Sequence, residues 1–368
     1  MKLMYVVGAR PNFVKVAPVI AEVRRRLPEV EDTVVHTGQH YDELMSDVFL
    51  EELGIGSPDH MLGVGSGSHA VQTARVMERI EPVLEREDPD LVIVPGDVNS
   101  TLAVTLVAAK MGIGLAHLES GLRSFDRTMP EEINRIVADE FADLLFVHCE
   151  DAVENLGREG IEADRIHFVG NTMIDSLVAM EPRFRNAGCA ECLGLRPGDY
   201  VVVTLHRPAL VDGPLLAEVM DALGELAREI PVVFPTHPRT RRRLEAGAAG
   251  AGGGWPGVLL LEPLGYLDFL SLEADAAAVL TDSGGVQEET TFLGVPCFTL
   301  RANTERPVTI SSGTNTLLGL DPAAVADILP ALAARRPGPA PGPPPLWDGC
   351  ASGRIVDVLE RVQARLCC

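Results

Sequence analysis

The chain has 368 residues, 46% hydrophobic and 23% charged, with a formal net charge of −22. That length favours two domains, and the composition excludes a disordered chain, a collagen and a coiled coil. The acidic balance argues against nucleic acid held on an extended basic surface, so an anionic ligand would need a local positive site.

The opening, Met1-Lys2-Leu3-Met4-Tyr5-Val6-Val7-Gly8, reads as a first strand rather than a leader. No apolar run approaches the roughly 18 residues of a membrane helix, so a cytoplasmic protein with no membrane partner is expected. Short β-branched runs follow at Thr33–His36, Leu91–Val94, Ile113–His117, Leu144–Val147 and Ile166–Val169. A second set lies at Tyr200–Leu205, Val232–Phe234, Val258–Leu261, Ala276–Leu280, Cys297–Leu300 and Thr316–Leu318. Amphipathic stretches such as Thr101–Met111 and Leu215–Glu229 separate them. Buried runs alternating with helices give βαβ units, here two doubly wound α/β domains with parallel sheets.

The expected division is 1–172, 173–349 and a terminal helix in 350–368 that docks back on the first domain. Ala246–Gly257 reads as a surface loop, and the Pro-rich Arg335–Pro345 as irregular chain. The seven cysteines are scattered. Cys189 and Cys192 have CxxC spacing but lack a second pair or histidines, so free thiols and no metal are expected.

In open α/β sheets ligands bind beyond the carboxyl ends of the strands. There this sequence places Gly8-Ala9-Arg10-Pro11-Asn12 with Lys15, then Thr37-Gly38-Gln39-His40, then Gly96-Asp97, then Glu119-Ser120-Gly121-Leu122-Arg123. Met129-Pro130-Glu131-Glu132-Ile133-Asn134-Arg135 opens a helix. In the second half come His206-Arg207-Pro208, Thr236-His237-Pro238 and Asp282-Ser283-Gly284-Gly285, ahead of Gln287, Glu288 and Glu289. Each has a plain structural alternative. Asp97 could cap the next helix, Glu131 could complement a helix dipole, Ser283 could be an N-cap, and His206 or His117 could be a satisfied core histidine. Their recurrence at strand ends in both halves points to a ligand site. Glycines at a helix start let an anion reach free N–H groups. A carboxylate cluster suits proton transfer.

Taken in order, these motifs resemble the non-hydrolysing UDP-N-acetylglucosamine 2-epimerases over nearly the whole chain. Further matching pieces are Gly170-Asn171-Thr172 with Asp175, Thr304-Glu305-Arg306-Pro307, and Asp348-Gly349 before Ala351-Ser352. The resemblance implies two Rossmann-like domains facing across a cleft, as in glycosyltransferase-B-like folds. It implies interconversion of UDP-GlcNAc and UDP-ManNAc through 2-acetamidoglucal, without cofactor or metal, by a homodimer. It assigns catalysis to Asp97, Glu119, Glu131 and His206. It assigns UDP-sugar binding to Arg10, Lys15, Arg123, Arg207, His237, Ser283, Gly284, Gly285, Glu289 and Arg306, with Glu289 on the ribose. Departures are Ala9, Asn12, Ser120 and the run Leu205-His206-Arg207-Pro208. Asp42 stands where an allosteric site would carry a second glutamine, and Gly63–Ser68 lacks arginine, so allosteric UDP-GlcNAc is not expected. An epimerase of another UDP-2-acetamido sugar, a glycosyltransferase of this fold and a silent nucleotide-sugar sensor are the competing readings.

Overall fold

A computed structural model describes residues 1–38, 52–248, 255–334 and 342–366. Its strands form two parallel sheets. The first contains β1 (Lys2–Val7), β2 (Glu31–His36), β3 (His60–Met61), β4 (Leu91–Pro95), β5 (Gly114–Leu118), β6 (Leu144–Val147) and β7 (Ile166–Phe168), in the order β3-β2-β1-β4-β5-β6-β7. The second contains β8 (Val201–Thr204), β9 (Val232–Pro235), β10 (Val258–Leu261), β11 (Ala278–Thr281), β12 (Cys297–Thr299) and β13 (Asn315–Leu317), in the order β10-β9-β8-β11-β12-β13. Strand order reverses between β1 and β4 and between β8 and β11. Those are the switch points where doubly wound sheets bind ligands.

Burial on both faces explains the continuous apolar strands. Val201 and Val203 pack with Leu216, Val219, Met220 and Leu223 of the helix Leu215–Leu226, while Tyr200 and Val202 pack on the opposite face with Leu272 and Val286. The helix residues follow the i, i+3, i+4, i+7 spacing of one buried stripe. Each such side chain contributes about 1.5–3 kcal/mol on burial. β3 was not anticipated, because a two-residue edge strand carries no apolar run.

The chain divides into one unit of 1–179 with 345–368 and another of 180–344. The first crossing falls later than the sequence suggested because the helix Thr172–Arg185 is continuous through it. The return falls earlier because Trp347 is 1% exposed in the first unit and donates its indole N–H to His148 O at 2.8 Å. Gly170 has φ +89° and faces the Leu346 carbonyl so closely that a Cβ would lie 2.1 Å from its oxygen. The helix Ala351–Leu366 buries Ile355, Val356 and Leu359, and its Asp357 and Glu360 lie 2.7 and 2.8 Å from Arg26 Nη2 of the helix Arg10–Arg26. Asp175 caps it, accepting from Ala351 N at 3.0 Å, Ser352 N at 2.7 Å and Ser352 Oγ at 2.6 Å.

The helix Pro238–Ala248 takes in the first three residues of the supposed loop at 246. Residues 249–254 and 335–341 lie outside the described set, and 342–345 form neither helix nor strand. Cys149, Cys189, Cys192, Cys297 and Cys350 are free thiols. No described helix is long and apolar enough to cross a membrane.

Candidate active site

In the first unit, the turn after β1 is organised by Asn12. Its Oδ1 accepts from Gly8 N at 3.0 Å and Ala9 N at 3.1 Å, satisfying donors at the start of the helix Arg10–Arg26, while Nδ2 donates to Pro95 O at 3.3 Å. Arg10 is the first residue of that helix. Lys15, one turn further on and 7% exposed, forms an ion pair with Glu119 at the end of β5. Glu119 has φ +67°, a left-handed conformation that is rare for a non-glycine residue and tends to mark functional sites. A Cβ on Gly96 would stand 3.2 Å from Lys15 Nζ and 3.4 Å from Glu119 Oε2, so a side chain at that turn would crowd the pair. A pocket of this unit is lined by Lys15, Glu119, His148, Asn171, Thr172 and Ile355.

Asp97 is not a helix cap. The helix begins at Asn99 with Val98 as its N-cap, and the Asp97 carboxylate instead pairs with the buried Arg135. Arg135 also meets Glu132 at 2.7 Å, and Asn134 Nδ2 donates to Asp97 O at 2.8 Å. Asp97 is therefore held by the helix Pro130–Phe141. Half-buried Glu131 sits in the first turn of that helix.

These groups are joined by a second set centred on Asp139, which the sequence reading did not single out. Asp139 is 1% exposed and binds His117 Nδ1 at 2.7 Å, Gly121 N at 3.1 Å and Arg123 Nη1 at 2.6 Å. Glu132 accepts from Ser124 N, Ser124 Oγ and Phe125 N, each at 2.9 Å. His117 is thus a core residue, its Nε2 lying 2.7 Å from Gly96 O. Arg123, expected among the ligand contacts, is placed differently. Its side chain is 1% exposed and binds Asp139 and Glu159, so it holds the loop after β5.

Gln39, His40 and Asp42 lie outside the described residues. The Gly63–Ser68 loop carries no cation of its own. Arg79 nevertheless donates to Leu62 O and Gly63 O, and Arg75 to Val64 O and Ser66 O, from the helix His69–Glu87.

In the second unit, buried Asp282 at the end of β11 accepts from His206 N at 2.9 Å and Arg207 N at 2.7 Å, with His206 Nδ1 3.0 Å from Oδ1. Burial pushes this carboxyl up. The His206 side chain and the two backbone donors outweigh that and hold it below the usual carboxylate range. A proton on Nδ1 shared with Asp282 leaves Nε2 for a ligand, and 38% of the side chain is exposed. His237 lies beside it, ring centroids 5.7 Å apart.

Ser283 is the N-cap of the helix Gly284–Leu293, yet its hydroxyl makes no capping bond. Gly284 and Gly285 then open a helix whose first N–H groups lack intrahelical acceptors. A Cβ on Gly284 would stand 2.4 Å from Arg306 Nη1. Arg306, expected as a ligand contact, is 5% exposed. It pairs with Glu305 and, at 3.0 Å, with Glu288. Glu305 also meets Arg301 at 2.6 Å and Arg207 at 3.6 Å. Burial opposes its charge, but Arg306, Arg301 and Arg207 pull the carboxyl well below its ordinary range. Arg301, which the sequence reading missed, thus joins an arginine cluster near the glycine turn. Glu289, 4% exposed, accepts from Tyr266 Oη at 2.7 Å.

The family model described as UDP-N-acetylglucosamine 2-epimerase matches residues 22–360. The chain belongs to that family. A member from Methanocaldococcus jannaschii, named UDP-N-acetylglucosamine 2-epimerase, is 42% identical over 87% of this chain and 88% of its own length. The crystal structure of the Methanocaldococcus jannaschii UDP-GlcNAc 2-epimerase in complex with UDP-GlcNAc and UDP superposes with a TM-score of 0.88 at 39% identity. It covers 98% of this chain and 100% of that one. A Pseudomonas aeruginosa relative, 41% identical over 87% of this chain and 88% of its own length, is named UDP-2,3-diacetamido-2,3-dideoxy-D-glucuronate 2-epimerase. Family membership therefore fixes epimerisation at C2 more firmly than the sugar.

Proposed function

We propose that this chain interconverts UDP-GlcNAc and UDP-ManNAc. The observation that carries the reading is the pair of strand-end carboxylates, Glu119 and Asp97, each set against a buried cation, in a chain of this family. A carboxylate removes the C2 proton while the C1–O bond to the diphosphate breaks, giving 2-acetamidoglucal and UDP. UDP then adds back at C1 as a proton is delivered to the opposite face of C2. Asp97, Glu119 and Glu131 supply the acid and base, groups whose individual contribution is about 10²–10⁴-fold. Lys15 fixes Glu119, and Arg10 belongs to the same turn. His206, oriented by Asp282, meets the departing diphosphate together with Arg207 and His237. Ser283, Gly284 and Gly285 hold the diphosphate on backbone N–H groups, and Glu289 accepts from the ribose diol. Charge developing on the leaving group is thus met by groups already in place.

A second reading keeps the reaction and changes the sugar, since a relative of nearly the same identity is named for a diacetamido uronate. Separate incubations with UDP-GlcNAc and with UDP-2,3-diacetamido-2,3-dideoxyglucuronate, followed by anion-exchange chromatography, decide it. Conversion of the first to UDP-ManNAc with no added acceptor supports the main reading. Turnover of the uronate alone replaces it, and dependence on an acceptor sugar would return the glycosyltransferase reading. A homodimer in the cytoplasm goes with this proposal, and light scattering of the purified chain tests the dimer.

A further inference from the structure

The helix Tyr266–Ala274 presents Tyr266 and Glu273 to the helix Gly284–Leu293. Seven residues is nearly two turns, so the two side chains share one face, about 10 Å apart along the axis. Tyr266 Oη donates to Glu289 Oε1 at 2.7 Å. Glu273 is fully buried, and neither of its carboxyl oxygens has a hydrogen-bond partner among the described residues. The neighbouring Glu288 differs from both, because Arg306 lies 3.0 Å away and compensates its charge. The Cys297 thiol on β12, near Glu273, is pushed by burial to about 12 and hence neutral. Two uncompensated buried carboxyls cannot both ionise cheaply. The one with a phenol donor takes the charge. The one without keeps its proton.

We propose that Tyr266 is a positioning residue for the nucleotide's ribose. Its hydrogen bond favours the anionic form of Glu289, whose two oxygens can both accept from a diol, with Glu273 behind it as the neutral partner. This rests on the reading that Glu289 meets the ribose. Burial above all, and Glu288, push Glu289 up while the Tyr266 hydrogen bond pulls it down, so that it is raised to about 7. Burial and the adjacent Glu289 charge raise the Tyr266 phenol far above its ordinary range, so it stays a donor. Burial and Glu289 likewise hold Glu273 well above the usual carboxylate range. Ribose binding then selects ionised Glu289 and is linked to the loss of a proton near neutral pH.

The test measures UDP and 2′,3′-dideoxy-UDP affinity by calorimetry from pH 6 to 9 on wild type, Tyr266→Phe, Glu289→Gln and Glu273→Gln. Taking ratios at each pH cancels titration of the diphosphate. Tyr266→Phe should weaken UDP about 5-fold or more at pH 7 and recover to within about 2-fold at pH 9, with dideoxy-UDP unaffected, the size of a one-unit upward move of Glu289. Glu273→Gln should leave the profile unchanged. A Tyr266→Phe to wild-type ratio constant across pH means the phenol only packs, and overturns the proposal. So does a Glu273→Gln profile shifted like that of Tyr266→Phe, because Glu273 would then carry charge. If Glu289→Gln keeps the preference for UDP over the dideoxy analogue, the ribose reading itself fails. If Glu289→Gln abolishes that preference while Tyr266→Phe stays flat, only the inference drawn here fails.

Discussion

The two units treat buried charge in opposite ways. In the first, carboxylates are matched to cations: Glu119 to Lys15 and Asp97 to Arg135 at strand ends, and Asp139 of the helix Pro130–Phe141 to Arg123. In the second, arginines crowd one acid, with Arg301, Arg306 and Arg207 around Glu305, while Glu273 and Glu289 lie buried with no ion pair to a cation among the described residues. Matched pairs set the position and charge of groups that move protons. Surplus cation beside a helix start awaits an anion. The difference is the physical content of the proposed division of labour between acid–base chemistry and nucleotide grip.

The largest effect that sharpens the comparison is on turnover. Asp97→Asn, Glu119→Gln and Glu131→Gln should each lower kcat by roughly 10²-fold or more. UDP affinity should change little, because the proposed nucleotide contacts lie on the second unit. Steady-state kinetics beside UDP titrations check both halves, and three variants at wild-type turnover would break the comparison.

Arg123→Met comes next, acting on stability. It leaves Asp139 buried without its guanidinium, a loss of about 3–5 kcal/mol for a broken buried pair. Urea unfolding should show that cost, with KM unchanged in the fraction that folds. A variant of normal stability and raised KM would return Arg123 to the ligand contacts. Gly284→Ala should then cost about 1–3 kcal/mol of crowding, since the new methyl meets an ion-paired Arg306 and not a free side-chain end. UDP affinity should fall roughly tenfold with a smaller change in kcat, read by calorimetry and kinetics. The smallest effect is Asp175→Ala, which removes the cap of the helix Ala351–Leu366 and costs about 1–2 kcal/mol in thermal unfolding without altering UDP affinity.

Periodicity revealed the long buried strands, because a strand covered on both faces must be apolar throughout. It missed His60–Met61, whose pairing at a sheet edge needs no apolar run. Helix ends were harder. Ala246-Gly247-Ala248 reads as loop by composition, yet the preceding helix carries through it to Ala248. At the site, the strand-end motifs pointed to Glu119, Asp97, His206 and the Ser283–Gly285 turn, because such positions are dictated by the parallel sheet. The partners were illegible. Nothing in local sequence says that Arg135 reaches back 38 residues to Asp97 or that Tyr266 finds Glu289. Arg123 and Arg306 show the limit from the other side. An arginine in a motif signals importance, and only burial tells whether it faces ligand or holds a carboxylate.

The most direct measurement of the central claim is exchange at C2. UDP-GlcNAc is incubated in D2O with wild type, Asp97→Asn, Glu119→Gln, Glu131→Gln and Gly284→Ala, and followed by proton NMR at saturating substrate. The account predicts UDP-ManNAc carrying deuterium at C2 in the wild type. Deuterium incorporation should be lost in the acid variants that still bind UDP, and retained in Gly284→Ala once substrate saturates. Epimerisation with the C2 proton retained, or exchange undiminished in all three acid variants, would contradict it.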